Sequence, residues 1–207
     1  MKISKKFLII LIYLIFIFSL SYSYSSTIAS SISNNVFRLH IIANSDTPED
    51  QSLKLKVRDS LLKYMSTLTQ NCTTKKEAIT LVEENIDNFK KIAETTINKN
   101  GFNYPVTIEV GNFTFPTKKY GNISLPSGNY DSLRVHIGDS KGHNWWCVMF
   151  PPLCFSDCST GVINEKDLIQ LKQNLSEEEY SLLLEDKNTK IFKFKIVEII
   201  NKIRIFK

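Results

Sequence analysis

Hydrophobic and polar residues change rhythm several times along this chain. An uncharged apolar run from Phe7 to Leu20 comes first, with Lys2, Lys5 and Lys6 ahead of it. Val36 to Ala43, "VFRLHIIA", then has the apolar, β-branched content of a strand. It leads into "NSDTPEDQ", where Asp46 or Thr47 can cap a helix whose first position is Pro48. Leu53, Val57, Leu61, Tyr64 and Leu68 recur on one side of that helix while Leu55 and Leu62 fall elsewhere, so contacts on two faces are expected.

A second helix is expected from Thr74, with Glu77 completing a capping box, to Asn100 and Gly101. Ala78, Leu81, Val82, Ile86, Phe89, Ala93 and Ile97 share its apolar face. The period then drops to two. Val106, Ile108 and Val110 alternate, Gly111 and Asn112 mark a turn, and Phe113 and Phe115 alternate again. After a loop at Pro126 to Asn129, "LRVHIG" (133–138) and Trp145 to Phe150, joined by "DSKGHN", read as a hairpin that Pro151 and Pro152 terminate. A polar connection from Asp157, a short acidic helix capped by Ser176, and an amphipathic segment from Ile191 complete the pattern. The fold class is α+β: an N-terminal strand and two helices packed on a mainly antiparallel sheet, with C-terminal helical segments.

The chain has 207 residues and is 43% hydrophobic, enough for one cored domain. The basic start and apolar run have the form of a secretory signal peptide over residues 1–29, with Thr27 and Ala29 as the small pair before cleavage, leaving residues 30–207 as the domain. The competing form is an uncleaved anchor continuing through Tyr22 and Tyr24 to Ile28. Either places the domain outside the cytoplasm. The formal charge of +5 owes much to the leader, whose three lysines when removed leave 23 basic against 21 acidic residues, a net +2. With no aromatic-interleaved basic patch, nucleic acid is not expected as a partner. The basic amphipathic segment 190–207 suits packing on the sheet, with peripheral membrane contact as its alternative.

Chemistry concentrates in "GHNWWCVMFPPLCF", residues 142–155. Cys147 beside His143, His136 or His40 raises the idea of a thiol hydrolase, but a cysteine in mid-strand among bulky apolar residues lacks the setting that stabilises a thiolate. His143, Cys147, Cys154 and Cys158 could hold zinc, yet no Cys-x-x-Cys knuckle is present and exported cysteines tend to oxidise. The four cysteines allow three complete pairings, of which Cys147 with Cys154 is the attractive one; Cys72 and Cys158 then stay free or pair. No catalytic residue, metal or cofactor is expected. Trp145 and Trp146 must point to opposite faces of a strand, so the strand is covered on both sides or one indole stays exposed to bind a partner.

"FRLHIIANSDTPEDQSLKLKVRDSLL" (37–62), "GNYDSLRVHIGDSKGHNWWCVMFPPLCF" (128–155) and the closing "FKFKIVEII" (192–200) resemble the stage II sporulation protein R family of spore-forming bacteria. The resemblance implies a signal rather than an enzyme. Such proteins are exported from the forespore into the space between the two membranes that separate it from the mother cell. There they are required for a membrane-embedded aspartic protease to process the pro-form of sigma E. The matched stretches nominate Arg38, His40, Asn44, Asp46, Asn144, Trp145 and Trp146 as partner contacts. A secreted cell-wall or thiol hydrolase at the sporulation septum is the competing class.

Overall fold

The computed structural model describes residues 5–153 and 165–184. A long helix α1 (Lys5–Asn35) runs directly into strand β1 (Phe37–Ile42). Helices α2 (Pro48–Leu68), α3 (Lys75–Glu84) and α4 (Ile86–Lys99) follow, then strand β2 (Val106–Phe115). A small two-stranded flap, β3 (Lys118–Tyr120) with β4 (Ile123–Leu125), precedes β5 (Gly128–Ile137) and β6 (Asn144–Phe150), and helices α5 (Glu165–Gln173) and α6 (Glu177–Leu183) come last.

The caps are where the sequence places them. Thr47 accepts from Asp50 N with Pro48 in the first turn, Thr74 accepts from Glu77 N, and Ser176 forms a reciprocal box with Glu179. The expected second helix, however, is two. Asn85 ends α3 and opens α4, its Nδ2 donating back to Leu81 O at 2.9 Å while its Oδ1 accepts from Tyr64 Oη at 3.1 Å. A side chain that satisfies helix carbonyls itself permits the break without disturbing the apolar face of Ala78, Val82, Phe89, Ala93 and Ile97, all buried.

The main sheet has the order β2-β5-β1-β6, so β1 lies between two strands separated from it by about ninety residues or more of chain. It pairs parallel with β5 and antiparallel with β6, and β2 pairs antiparallel with β5. The expected β5–β6 hairpin is therefore replaced by two strands flanking β1. The β5–β6 loop hydrogen-bonds to the β1–α2 loop, holding the two strands one position apart. The turn expected at Gly111 and Asn112 is likewise absent: β2 continues unbroken, with Gly111 opposite Ser132 and Asn112 opposite Asp131. A ladder of ten partners outweighs the local turn preference of a Gly-Asn pair.

Phe37, Leu39 and Ile41 of β1 alternate into the core with Leu133, Val135 and Ile137 of β5 and Cys147 and Met149 of β6. Helices α2 and α4 pack together over this face, α4 chiefly on β2. Helix α2 is buried on two sides, through Leu53, Val57 and Leu61 on one and Arg58, Leu62 and Met65 on another; of the two leucines expected off the main stripe, Leu62 is buried and Leu55 half-buried. The last turns of α1 also belong to this body: Ile28, Ala29 and Ile32 are buried and α1 packs on β5.

Candidate recognition surface

The two sequence stretches that carry the resemblance form one structure. Their loops meet at the end of the sheet where β1 and β5 both finish. Gly142 N donates to Ala43 O and Lys141 N to Asn44 O, each at 3.0 Å, continuing the pairing beyond the strands. Asn44 bridges the loops, its Oδ1 accepting from Asp139 N at 2.9 Å and its Nδ2 donating to Asp50 Oδ2 at 2.8 Å. Asp46 accepts from both the backbone N and the Nδ1 of His143. Lys54, buried on α2, donates to His143 O at 2.9 Å and to Gln51 Oε1 at 2.5 Å.

Glycine is required twice here. Gly138 has φ of +55°, and a Cβ on it would stand 2.2 Å from Asn44 Oδ1. One on Gly142 would stand 2.2 Å from Ser45 O. Burial pushes the Asp50 carboxyl up, but hydrogen bonds from Ser45, Asn44 and Tyr104 outweigh it and hold the group below the usual carboxylate range. Burial lowers the Lys54 ammonium, against the pull of Asp46 and with the push of Arg58. Asn44 and Asp46 thus stitch two loops, although Asp46 remains exposed at the rim.

On the face of the sheet away from α2 and α4, strand register lines up Trp146, His40, Arg134 and Glu109 across all four strands. Trp146 stacks on His40 with ring centroids 3.8 Å apart and planes 15° from parallel. His40 Nε2 and Asn144 Oδ1 are 2.7 Å apart, and burial lowers the His40 pKa to about 4, with Arg134, His136 and Arg38 adding positive charge nearby. At neutral pH the imidazole is therefore an uncharged platform for the indole. Further along, Glu109 Oε1 lies 3.4 Å from Arg134 Nη1 and from His136 Nε2, and the Arg134 guanidinium covers the Phe113 ring at 3.6 Å.

Arg38 underlies this row and is fully buried. Its guanidinium sits 4.1 Å from the Phe115 centroid and 4.7 Å from that of Tyr130, donates to Cys147 O at 3.3 Å, and donates to Tyr120 Oη at 2.6 Å. Tyr120 Oη in turn donates to Trp146 O at 3.1 Å, tying the β3–β4 flap to the sheet. Desolvated contacts of this kind are worth about 2 kcal/mol each. Arg38 and His40 have almost no surface to offer a partner, so their effect on any interface passes through Tyr120 and Trp146.

Trp145 points the other way, under the Arg58 guanidinium at 4.4 Å. Both indoles are half-buried, on opposite faces of a strand at the sheet's edge. Of the seven nominated residues, Asp46, Asn144, Trp145 and Trp146 reach the surface, while Asn44 is half-buried in the loops. Arg134, Glu109, His136 and Phe113 were not anticipated as a group. Only the pairing register, which the hairpin reading misplaces, puts Arg134 and Glu109 in the same cross-strand row as Trp146 and His40.

Cys147 faces the helices and is disulfide-bonded; Cys154, its expected partner, lies outside the described residues, as does Cys158. Cys72 is free and buried, with its thiol pushed up by burial and by Glu77. Among the described residues no three His, Cys, Asp or Glu side chains are grouped to hold a metal ion.

Known proteins share this arrangement of sequence. The family model for stage II sporulation protein R matches residues 33–160, from the last turn of α1 past the end of β6. The chain belongs to the stage II sporulation protein R family. A curated relative, stage II sporulation protein R of Bacillus subtilis (strain 168), is 36% identical over 165 residues, spanning 79% of this chain and 72% of the relative. No solved structure matches. Family membership gives the stitched loops and the aromatic row a common context: both lie within the matched residues.

Proposed function

We propose that this protein is the exported, non-catalytic signal of endospore formation that acts between forespore and mother cell. It docks on the extracytoplasmic part of a membrane-embedded aspartic protease and favours its active arrangement, so that the pro-form of sigma E is processed. The observation that carries this reading is membership of the stage II sporulation protein R family across residues 33–160. The chemistry of the surface supports it. An indole stacked on an imidazole, with Asn144 beside them and a polar row of Arg134 and Glu109 continuing across the sheet, combines the aromatic and polar groups of protein interfaces. Of the described cysteines, Cys147 is disulfide-bonded and Cys72 is buried, so neither is a ready nucleophile for the thiol-hydrolase reading.

A ligand shifts its receptor only through greater affinity for one state, so surface residues should matter in proportion to that difference. The test is co-production of the full chain with the protease and pro-sigma E in a cell lacking other sporulation proteins. Processing that depends on the chain is expected. Stable, exported protein with no processing would refute the reading. Multiple turnover of a cell-wall polymer or a peptide by the purified chain would favour a hydrolase instead.

A further inference from the structure

Strand β2 forms one edge of the main sheet. On one side it pairs with β5, and among the described residues no backbone hydrogen bond reaches its other side. The open edge is long: ten residues bracketed by Pro105 and Pro116, about 33 Å of outward N–H and C=O groups. Folded proteins blunt such edges with lysine, an internal proline, a bulge or a cover. None of the first three is present, since β2 pairs with β5 without a break from Val106 to Phe115 and Glu109 is its only charge. The apolar layer also stops short here. Ile108 and Val110, opposite the fully buried Val135 and Leu133, are only half-buried.

The edge is self-complementary. In antiparallel pairing opposed side chains share a face, so a second copy of β2 can be matched only in registers that keep alternate residues together. A twofold axis at Gly111 opposes Val110 to Asn112, Ile108 to Thr114, and Glu109 to Phe113. A Cβ on Gly111 would stand 3.0 Å from Phe113 Cζ, so the ring lies over the glycine and the two copies' rings meet at the axis. The Arg134 guanidinium is 3.6 Å from that ring's centroid, and its Nη1 is 3.4 Å from Glu109 Oε1. Glu109 of each copy thereby arrives beside the cation of the other. Axes at Val110 or Asn112 would oppose Glu109 to Gly111 or Phe115 and lose this match.

We propose that the protein forms a twofold homodimer by antiparallel pairing of β2 with β2 about Gly111, joining two four-stranded sheets into one. A short ladder with one aromatic pair belongs at the small end of specific interfaces, so dissociation in the micromolar range is expected. The junction lies three strands from Trp146, at the opposite edge of the sheet. This inference goes beyond the signalling role, and its test needs no protease.

The full chain is purified in mild detergent, which shields the apolar stretch of α1, and followed by sedimentation equilibrium. A monomer–dimer equilibrium is expected; monomer alone at roughly 100 μM would overturn the dimer. Register is read by oxidising mixtures of differently tagged cysteine variants. Val110→Cys should link to Asn112→Cys, and roughly tenfold more slowly to Thr114→Cys, which is two residues out of step. Equal linking in both mixtures, or in neither, would overturn the β2 pairing even if the chain is dimeric. Glu109→Arg should weaken dimerisation roughly tenfold, and Glu109→Arg/Arg134→Glu should restore it. Unchanged affinity in Glu109→Arg would overturn the Gly111 register. Amide exchange in the unaltered chain decides independently of any variant's folding: protection at 107–115 should rise with chain concentration, and exchange there that ignores concentration contradicts the pairing.

Discussion

Single side chains at the loop junction are constrained by distance rather than by chemistry. Gly142→Ala drives a methyl into Ser45 O, a backbone atom that cannot swing aside, and should cost about 2 kcal/mol or more. Gly101→Ala makes a useful contrast, because that residue has a φ of +82° but open space around it, so only backbone strain of about 1 kcal/mol is expected. Thermal unfolding of the two variants should rank them in that order. His40 carries a pH signature. Its folded-state pKa of about 4 lies below the 6.5 of an unperturbed imidazole, so the unfolded chain takes up the extra proton as pH falls between those values. Stability is full above pH 6.5 and declines towards pH 4, by about 1–2 kcal/mol once solvent screening is allowed for. His40→Phe keeps an aromatic platform for Trp146 and should flatten that decline, measured as urea midpoints across the window. Asp50 and Asp131, held low by their hydrogen bonds, lose their contributions at more acidic pH in both proteins.

At the scale of elements, Tyr120 ties the β3–β4 flap to the main sheet. Tyr120→Phe removes the hydroxyl that accepts from Arg38 and donates to Trp146 O, and leaves a fully buried guanidinium short of a partner. Amide exchange at 118–125 should quicken roughly tenfold, and global stability should fall by about 1–3 kcal/mol. Elements were legible where local chemistry decides them. Thr47, Thr74 and Ser176 cap helices because a hydroxyl finds the free N–H groups, whatever the rest of the chain does. The apolar stripe of α2 shows the same independence. What was not legible is pairing between distant segments. "DSKGHN" has hairpin composition, yet β1 inserts between β5 and β6, and Gly111-Asn112 has turn composition, yet ten cross-strand partners hold it straight. The site inherits that gap. Trp146, His40 and Asn144 were identifiable as residues, whereas Arg134 and Glu109 joined them only through register.

The whole molecule is built around a strand supplied early and completed late. Phe37–Ile42 finds its partners in 132–136 and 144–150, so the sheet has no centre until most of the chain is available. Such distant pairing is slow, because loop closure precedes any reward from contact. A chain ending at Ser127 should therefore stay protease-sensitive throughout, with helices but no protected sheet, as read by limited proteolysis and amide exchange. Under the export proposed above, this ordering would have a practical effect. No stable knot of structure would form on the near side to jam the passage, and the domain would acquire its shape only after residue 150 had emerged on the far side.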